Sequence, residues 1–174
     1  RTRAAVRPDF IIIFRLSMID LNPNGSTHDE VVQLAQPVEA AAATILNTGI
    51  GWHQARIPTI ATSVPRKAFA WVTQKLMGKV SIPIITSNRI NTPDVAEDVL
   101  ATGCADMVSM ARLSLADPDF VAKAIAGRPD QIAPSLACTQ PCLDHTFSAK
   151  LTSCLVHHRA SPHTEPSYTT TTTP

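Results

Sequence analysis

Phe10-Ile11-Ile12-Ile13-Phe14 is an unbroken apolar run, rich in β-branched residues, that stops at Arg15. Continuous hydrophobicity, without alternation, is what a strand covered on both faces requires, and such strands belong to parallel sheets. Parallel neighbours need a long crossover, so a helix is expected next. After the turn residues Asn22-Pro23-Asn24-Gly25, Ser26 with Asp29 three positions on reads as a helix cap, and Val31, Val32, Leu34, Ala35 and Val38 supply an apolar helix face. Thr44-Ile45-Leu46-Asn47-Thr48 is then the second strand.

The unit recurs. Residues 66–77 are helix-like, Ile82-Pro83-Ile84-Ile85-Thr86 is a strand, and Thr92-Pro93 is a cap and first-turn pair opening a helix over 94–101. Asp106-Met107-Val108-Ser109-Met110 is the fourth strand, and Asp117-Pro118 starts a helix over 119–126 that Gly127 stops. Four successive βα units predict an α/β fold with a parallel sheet across residues 1–130, the pattern of half a (β/α)8 TIM barrel. From about Gln131 the periodicity is lost, and residues 131–160 read as an irregular cysteine-bearing segment. Residues 161–174, with the run Thr169 to Thr173, lack the apolar groups that would offset ordering entropy and read as a disordered tail.

Composition narrows the function classes. The 174 residues are 44% apolar with a net charge of +1, ordinary for a globular chain with a sizeable core. Lysines and arginines are scattered, so no nucleic-acid or acidic partner is expected. No apolar run reaches the roughly 18 residues of a membrane span, and the first residues lack a signal peptide, so the expectation is a cytoplasmic protein with no membrane partner. Fourteen prolines exceed average usage, and Pro37 falls inside an expected helix, where it removes a hydrogen bond at a cost of about 3 kcal/mol.

Three groups of residues could carry chemistry. Arg15, Arg89 and Arg112 fall at or just past the ends of predicted strands, the face on which barrel active sites are built. Guanidiniums suit a phosphate or an electron-rich ring, because they offer a rigid fork of donors and keep their charge; the bland alternative is three surface or salt-bridged arginines. His53 follows Gly49-Ile50-Gly51-Trp52 and would hang over the same mouth, able to hydrogen-bond a carbonyl or relay a proton, or merely to serve the loop. Cys138, Cys142 and Cys154 crowd into a polar, irregular stretch, which favours a metal or cluster over buried thiols. Zinc would need a fourth ligand, with His145, His157, His158 or Ser135 plus water available; a cubane cluster usually takes four thiolates.

The residues also resemble a known family. Residues 9–18, the loop 47–60 and Ala105-Asp106-Met107-Val108-Ser109-Met110-Ala111-Arg112 together are similar to bacterial NADPH-dependent 2,4-dienoyl-CoA reductase, the multi-cofactor branch of the old yellow enzyme group. The resemblance runs from about Arg3 to Ala160 and implies barrel strands five to eight plus an iron–sulfur segment. It implies FMN contacts at Arg15, Arg89, Ala111 and Arg112, a substrate site lined by His53, Gln54, Ala55 and Arg56 with His53 catalytic, and cluster ligation by Cys138, Cys142 and Cys154. Electrons in the family pass from NADPH through FAD and a 4Fe-4S cluster to FMN, which reduces the C=C bond of dienoyl-CoA thioesters in unsaturated fatty acid β-oxidation.

Departures accompany the likeness. The family's cluster motif, Cys-x2-Cys-x3-Cys-x11-Cys, has Ser135 at its first position here, and a hydroxyl is a poorer iron ligand than a thiolate. Ala42 stands where the family has a glycine that favours positive φ, and Leu113-Ser114 replaces Pro-Phe beside Arg112. Cys104 reads as an incidental thiol. The family's proton-donating tyrosine and first four strands would precede Arg1, while Tyr168 lies in the tail. The expectation is a fragment, inactive or nearly so without its missing half barrel and its FAD and NADPH domains, acting with them on an enoyl-CoA-type small molecule. The alternatives are a non-enzymatic metal-binding module or a degenerate truncated product.

Overall fold

A computed structural model describes residues 1–51, 55–157 and 160. Its contacts divide the chain into two compact units, Arg1–Met110 and Ala111–Pro174. The composition change near Gln131 lies inside the second.

The first unit runs α1 (Thr2–Ala5), β1 (Ile13–Ile19), α2 (His28–Ala40), β2 (Ile45–Ile50), α3 (Ala70–Gln74), β3 (Ile84–Thr86), α4 (Pro93–Ala101) and β4 (Met107–Val108). Its four strands are parallel and lie side by side in chain order. Leu16, Met18, Leu46, Ile50 and Ile84 pack against Val31 and Ala35 of α2, Val72 of α3, and Leu76. Val108 joins a second cluster with Ala96 and Val99 of α4. Period-two alternation puts all these strand residues on one face, so the helices share that face; a doubly wound sheet would carry them on both. Ile13, Arg15 and Ser17 on the opposite face are exposed. Helices on one side, with β1 and β4 as open edges among the described residues, is the arrangement of a partial βα barrel wall.

The opening run was misjudged. β1 begins at Ile13, and Phe10, Ile11, Ile13 and Phe14 are 51%, 61%, 52% and 39% exposed. Phe10 and Ile11 precede the strand, and Ile13 lies on the sheet face that no helix covers among the described residues, so the second covering layer that a doubly buried strand needs is missing there. Residues 10–12 are instead tied down by polar contacts: Arg3 Nη1 donates to Phe10 O at 2.8 Å, and Ile12 N to Thr44 Oγ1 at 3.0 Å.

The cap of α2 sits one residue later than expected. Thr27 N donates to Glu30 Oε2 at 2.8 Å and Glu30 N to Thr27 Oγ1 at 3.3 Å, a complete capping box. The helix runs through Pro37 to Ala40, and Ala42 then takes φ +65°, the left-handed turn that the resemblance implied. Between β2 and β3 only Ala70–Gln74 is α-helical, since Lys67 has φ +50° and breaks the longer helix expected over 66–77. Pro83 has no N–H to give, and β3 starts after it. A chain of buried hydroxyls joins these elements: Thr73 Oγ1 lies 3.0 Å from Thr48 Oγ1 and 2.9 Å from Thr86 Oγ1, and Thr48 Oγ1 donates to Ile85 O at 2.8 Å.

The second unit contains α5 (Ala111–Ala116), which the sequence reading missed, α6 (Phe120–Ile125), a 3-10 turn (Pro129–Gln131), a π-helical turn (Gln140–Asp144) and α7 (His145–Phe147). Gly127 stops the chain after α6 with φ +67°, as expected. Among the described residues no helix is long and apolar enough to cross a membrane.

Candidate cofactor and cluster site

In the first unit Arg15 is the third residue of β1, so it lies within the strand and not at its end. Its Cα partner on β2 is Asn47, and with no side chain at Gly49 the guanidinium lies close to the next strand: a Cβ there would stand 3.4 Å from Nε. Asn47 Oδ1 is buried without a hydrogen-bond partner. Arg89 does lie just past β3, with φ +58°, and its Nε donates to Val64 O at 2.8 Å while its own carbonyl accepts from Lys67 N at 3.0 Å. The Nε bond orients the guanidinium, and the carbonyl bond holds the backbone beneath it.

Gly49 and Ile50 belong to β2 and not to the loop after it. Gly51 begins that loop with φ +72°, where a Cβ would meet Thr59 Cγ2 at 2.7 Å, so only glycine fits. Ala55 is half-buried and Arg56 exposed, while His53 and Gln54 lie outside the described residues.

In the second unit Ala111, exposed, opens α5, and Arg112 follows it half-buried. Arg112, Ser135, Cys138, Cys142 and Cys154 line one cavity, so the sequence-predicted thiols converge, and the serine at the departed position converges with them. Left-handed residues on both sides of Cys138, Ala137 at φ +56° and Thr139 at φ +59°, shape the turn. Burial pushes Arg112 below the ordinary guanidinium value, and the negative charge available at Cys142 and Cys138 resists that shift. Burial likewise pushes the Cys142 thiol up, with Arg112 pulling it down. Arg112 Nη1 is buried with no partner, which suits a site that receives an anionic group.

Three thiols and the Ser135 hydroxyl on one cavity are residue types that an iron–sulfur cluster can take. Among the described residues no three His, Cys, Asp or Glu groups are close enough to hold a single metal ion. Of the zinc candidates, His145 Nδ1 is hydrogen-bonded to Leu151 O at 3.0 Å and His157 Nδ1 to Leu115 O at 3.2 Å, and His158 lies outside the described residues.

Asp117 escaped the sequence reading as more than a helix start. Its carboxylate is 3% exposed and accepts from Lys123 Nζ at 2.7 Å, Ala133 N at 2.9 Å and Asp119 N at 3.1 Å. It ties α6 to the backbone just before Ser135. The Asp-Pro pair was the available signal, since an acidic side chain there commonly bonds the amides that follow.

The model of the NADH:flavin oxidoreductase / NADH oxidase family matches residues 2–131. A metal reductase of Desulforamulus reducens is 42% identical over 99% of this chain and 26% of its own length. An NADH oxidase of Thermoanaerobacter brockii is 30% identical over 82% of this chain and 22% of its own. Among solved structures, a 2-naphthoyl-CoA reductase in complex with 2-naphthoyl-CoA superposes with a TM-score of 0.86 at 31% identity, covering 91% of this chain and 24% of that one. The chain thus spans about a quarter of the length of these relatives.

Proposed function

Because the chain belongs to the NADH:flavin oxidoreductase / NADH oxidase family, we propose that it forms the FMN- and iron–sulfur-binding part of an NADPH-dependent reductase acting on the C=C bond of a 2,4-dienoyl-CoA thioester. The observation that carries the choice of a CoA thioester is the likeness, at a TM-score of 0.86 and 31% identity, to a reductase bound to 2-naphthoyl-CoA.

Arg15, Arg89, Ala111 and Arg112 would hold FMN, which supplies hydride transfer when bound. Arg15 and Arg112 offer donors to the cofactor's anionic and carbonyl groups, and Arg89 is held in place by Val64 O. Cys138, Cys142 and Cys154 would hold a cluster, with Ser135 in the place of the motif's first cysteine. His53, Gln54, Ala55 and Arg56 would line the substrate site, His53 donating a hydrogen bond to the thioester carbonyl or relaying a proton. FAD and NADPH would be served by further segments of a longer polypeptide, as would the other half of the barrel, and the chain alone is expected to turn over poorly.

The test is the visible spectrum, FMN content and iron content of the chain purified without oxygen, followed by the loss of dienoyl-CoA absorbance after dithionite reduction. Flavin and iron together support the reading; a colourless, metal-free chain that takes up neither refutes it. The 42% identity to a metal reductase favours a second reading, in which the reduced site passes electrons to an oxidised metal ion as substrate. Reduction of such an ion without loss of dienoyl-CoA would select it.

A further inference from the structure

Cys142 and Cys154 line one cavity although eleven residues separate them, so something must close that spacer. Apolar packing does not close its middle: Phe147 and Leu151 are 71% and 66% exposed. Ala149 bends the chain there at φ +54°, a turn that strains a residue with a Cβ. Polar bonds hold the two limbs together in adjacent rungs. His145 Nδ1 donates to Leu151 O at 3.0 Å, and Lys150 N to His145 O at 2.8 Å. Beside them Thr146 Oγ1 donates to Cys142 O at 2.7 Å and lies 2.8 Å from Thr152 Oγ1. A hydroxyl has one proton, and that of Thr146 goes to the carbonyl, so Thr152 is the donor to Thr146. A threonine bond to the carbonyl four residues back is ordinary in a helical turn; the second bond, from the returning limb, is not.

We propose that Thr146 and Thr152 are positioning residues for the cysteine site, their hydroxyls fastening the limb that leads to Cys154 onto the backbone carbonyl of Cys142. This rests on the reading of that site as a cluster site and assigns to it residues that are not themselves ligands. Cys142 lies four residues before Thr146 and Cys154 two after Thr152, so the fastened pair sits just inside both thiols and leaves little free chain between them. Closing a loop costs entropy, and a loop already closed spares the incoming group that cost. Partners behind the ligands orient them in the same way in other metal sites.

The experiment treats the reduced 174-residue chain with dibromobimane, which fluoresces once both its arms have reacted with neighbouring thiols, and maps the Cys142–Cys154 adduct by peptide mass. The wild type is expected to cross-link faster folded than in urea, a comparison that needs no variant to fold; equal rates overturn the proposal. Thr146→Val, which loses both bonds, is expected to slow the cross-link about threefold to tenfold, the worth of two exposed hydrogen bonds. Thr146→Ser should restore the wild-type rate. Thr152→Val should slow it less, and should add nothing in the Thr146→Val background, where its partner is already gone. A wild-type rate in Thr146→Val, a slow Thr146→Ser, or losses that multiply in the double variant overturn the pairing. Reconstitution with ferrous iron and sulfide without oxygen tests the link to the cluster: Thr146→Val should retain less of both than wild type and Thr146→Ser, and equal retention overturns the positioning role. No iron and sulfide in the wild type overturns the cluster reading itself, whatever the cross-linking shows.

Discussion

Removing the Asp117 carboxylate should loosen the segment that carries the cysteines before it touches the rest of the chain. Asp117 is 3% exposed and its partner Lys123 25% exposed. Breaking one side of a buried ion pair costs about 3–5 kcal/mol, and because Lys123 retains some access to water the lower part of that range applies. The amides of Ala133 and Asp119 also lose their acceptor, at about 1–3 kcal/mol each where water cannot replace it, but the losses share one carboxylate and do not add. Asp117→Ala should therefore destabilise the second unit by about 3–4 kcal/mol, and Asp117→Asn, which keeps an acceptor, by roughly half of that.

Amide hydrogen exchange read residue by residue is the assay. Protection should fall first at Ala133 and the residues leading to Cys138, and the thiols should react faster with a disulfide reagent. The pH dependence carries a sign. Burial raises the Asp117 carboxyl, but the bonds from Lys123, Ala133 and Asp119 outweigh it and hold the group below the usual aspartate range. Its contribution is thus full above the unfolded value of about 3.9 and is lost as pH falls through the lower folded value. The gap between wild type and Asp117→Ala should stay constant above about pH 5 and close in stronger acid. A gap under about 0.5 kcal/mol, or one that does not change below pH 4, would refute the anchoring role.

Ala42 at φ +65° strains a residue that has a Cβ. Relief of about 1–2 kcal/mol, less about 0.4–1 kcal/mol for the freer unfolded glycine, predicts that Ala42→Gly stabilises the first unit by about 0.5–1 kcal/mol, and a lower urea midpoint would count against it. Ser135→Cys completes a four-thiol set on the cavity shared by Cys138, Cys142 and Cys154. Reconstituted without oxygen, it should retain more iron per chain, and for longer in air, than the wild type, while Ser135→Ala should retain no more than the wild type. Equal iron in Ser135→Cys and wild type would show that the serine is not what limits the site.

The parallel βα order was legible because each crossover helix carries its apolar stripe at helical spacing and each strand its β-branched run. What misled was the assumption that Phe10 to Phe14 must be covered: hydrophobicity reports what a strand would bury against a partner, not whether the partner is among the described residues. Local chemistry decided the smaller misses. Thr27 outcompetes Ser26 as cap because Glu30, and not Asp29, reaches back to its amide. Lys67 enters the left-handed region and truncates a helix whose side chains looked suitable. For the site, the three cysteines read as a group do line one cavity, whereas Asp117 acts through its burial and its three donors, which no single-residue signal encodes.

Arg112 explains why the cysteine segment belongs with α5. A guanidinium moved out of water loses hydration that only negative groups can replace, and its Nη1 is buried unpaired. The groups that oppose its shift are Cys142 and Cys138, and Arg112 in turn pulls Cys142 down toward the thiolate. Each charge therefore lowers the cost of the other, and a segment that carried the thiols elsewhere would strand the arginine. The resemblance gave Arg112 to FMN and the cysteines to a separate segment. The shared cavity couples them, so filling the cysteine site with any group of net negative charge should strengthen the case for a charged Arg112. Conversely, Arg112→Leu should raise the Cys142 thiol and slow its alkylation near neutral pH, a change that Arg112→Lys should largely spare.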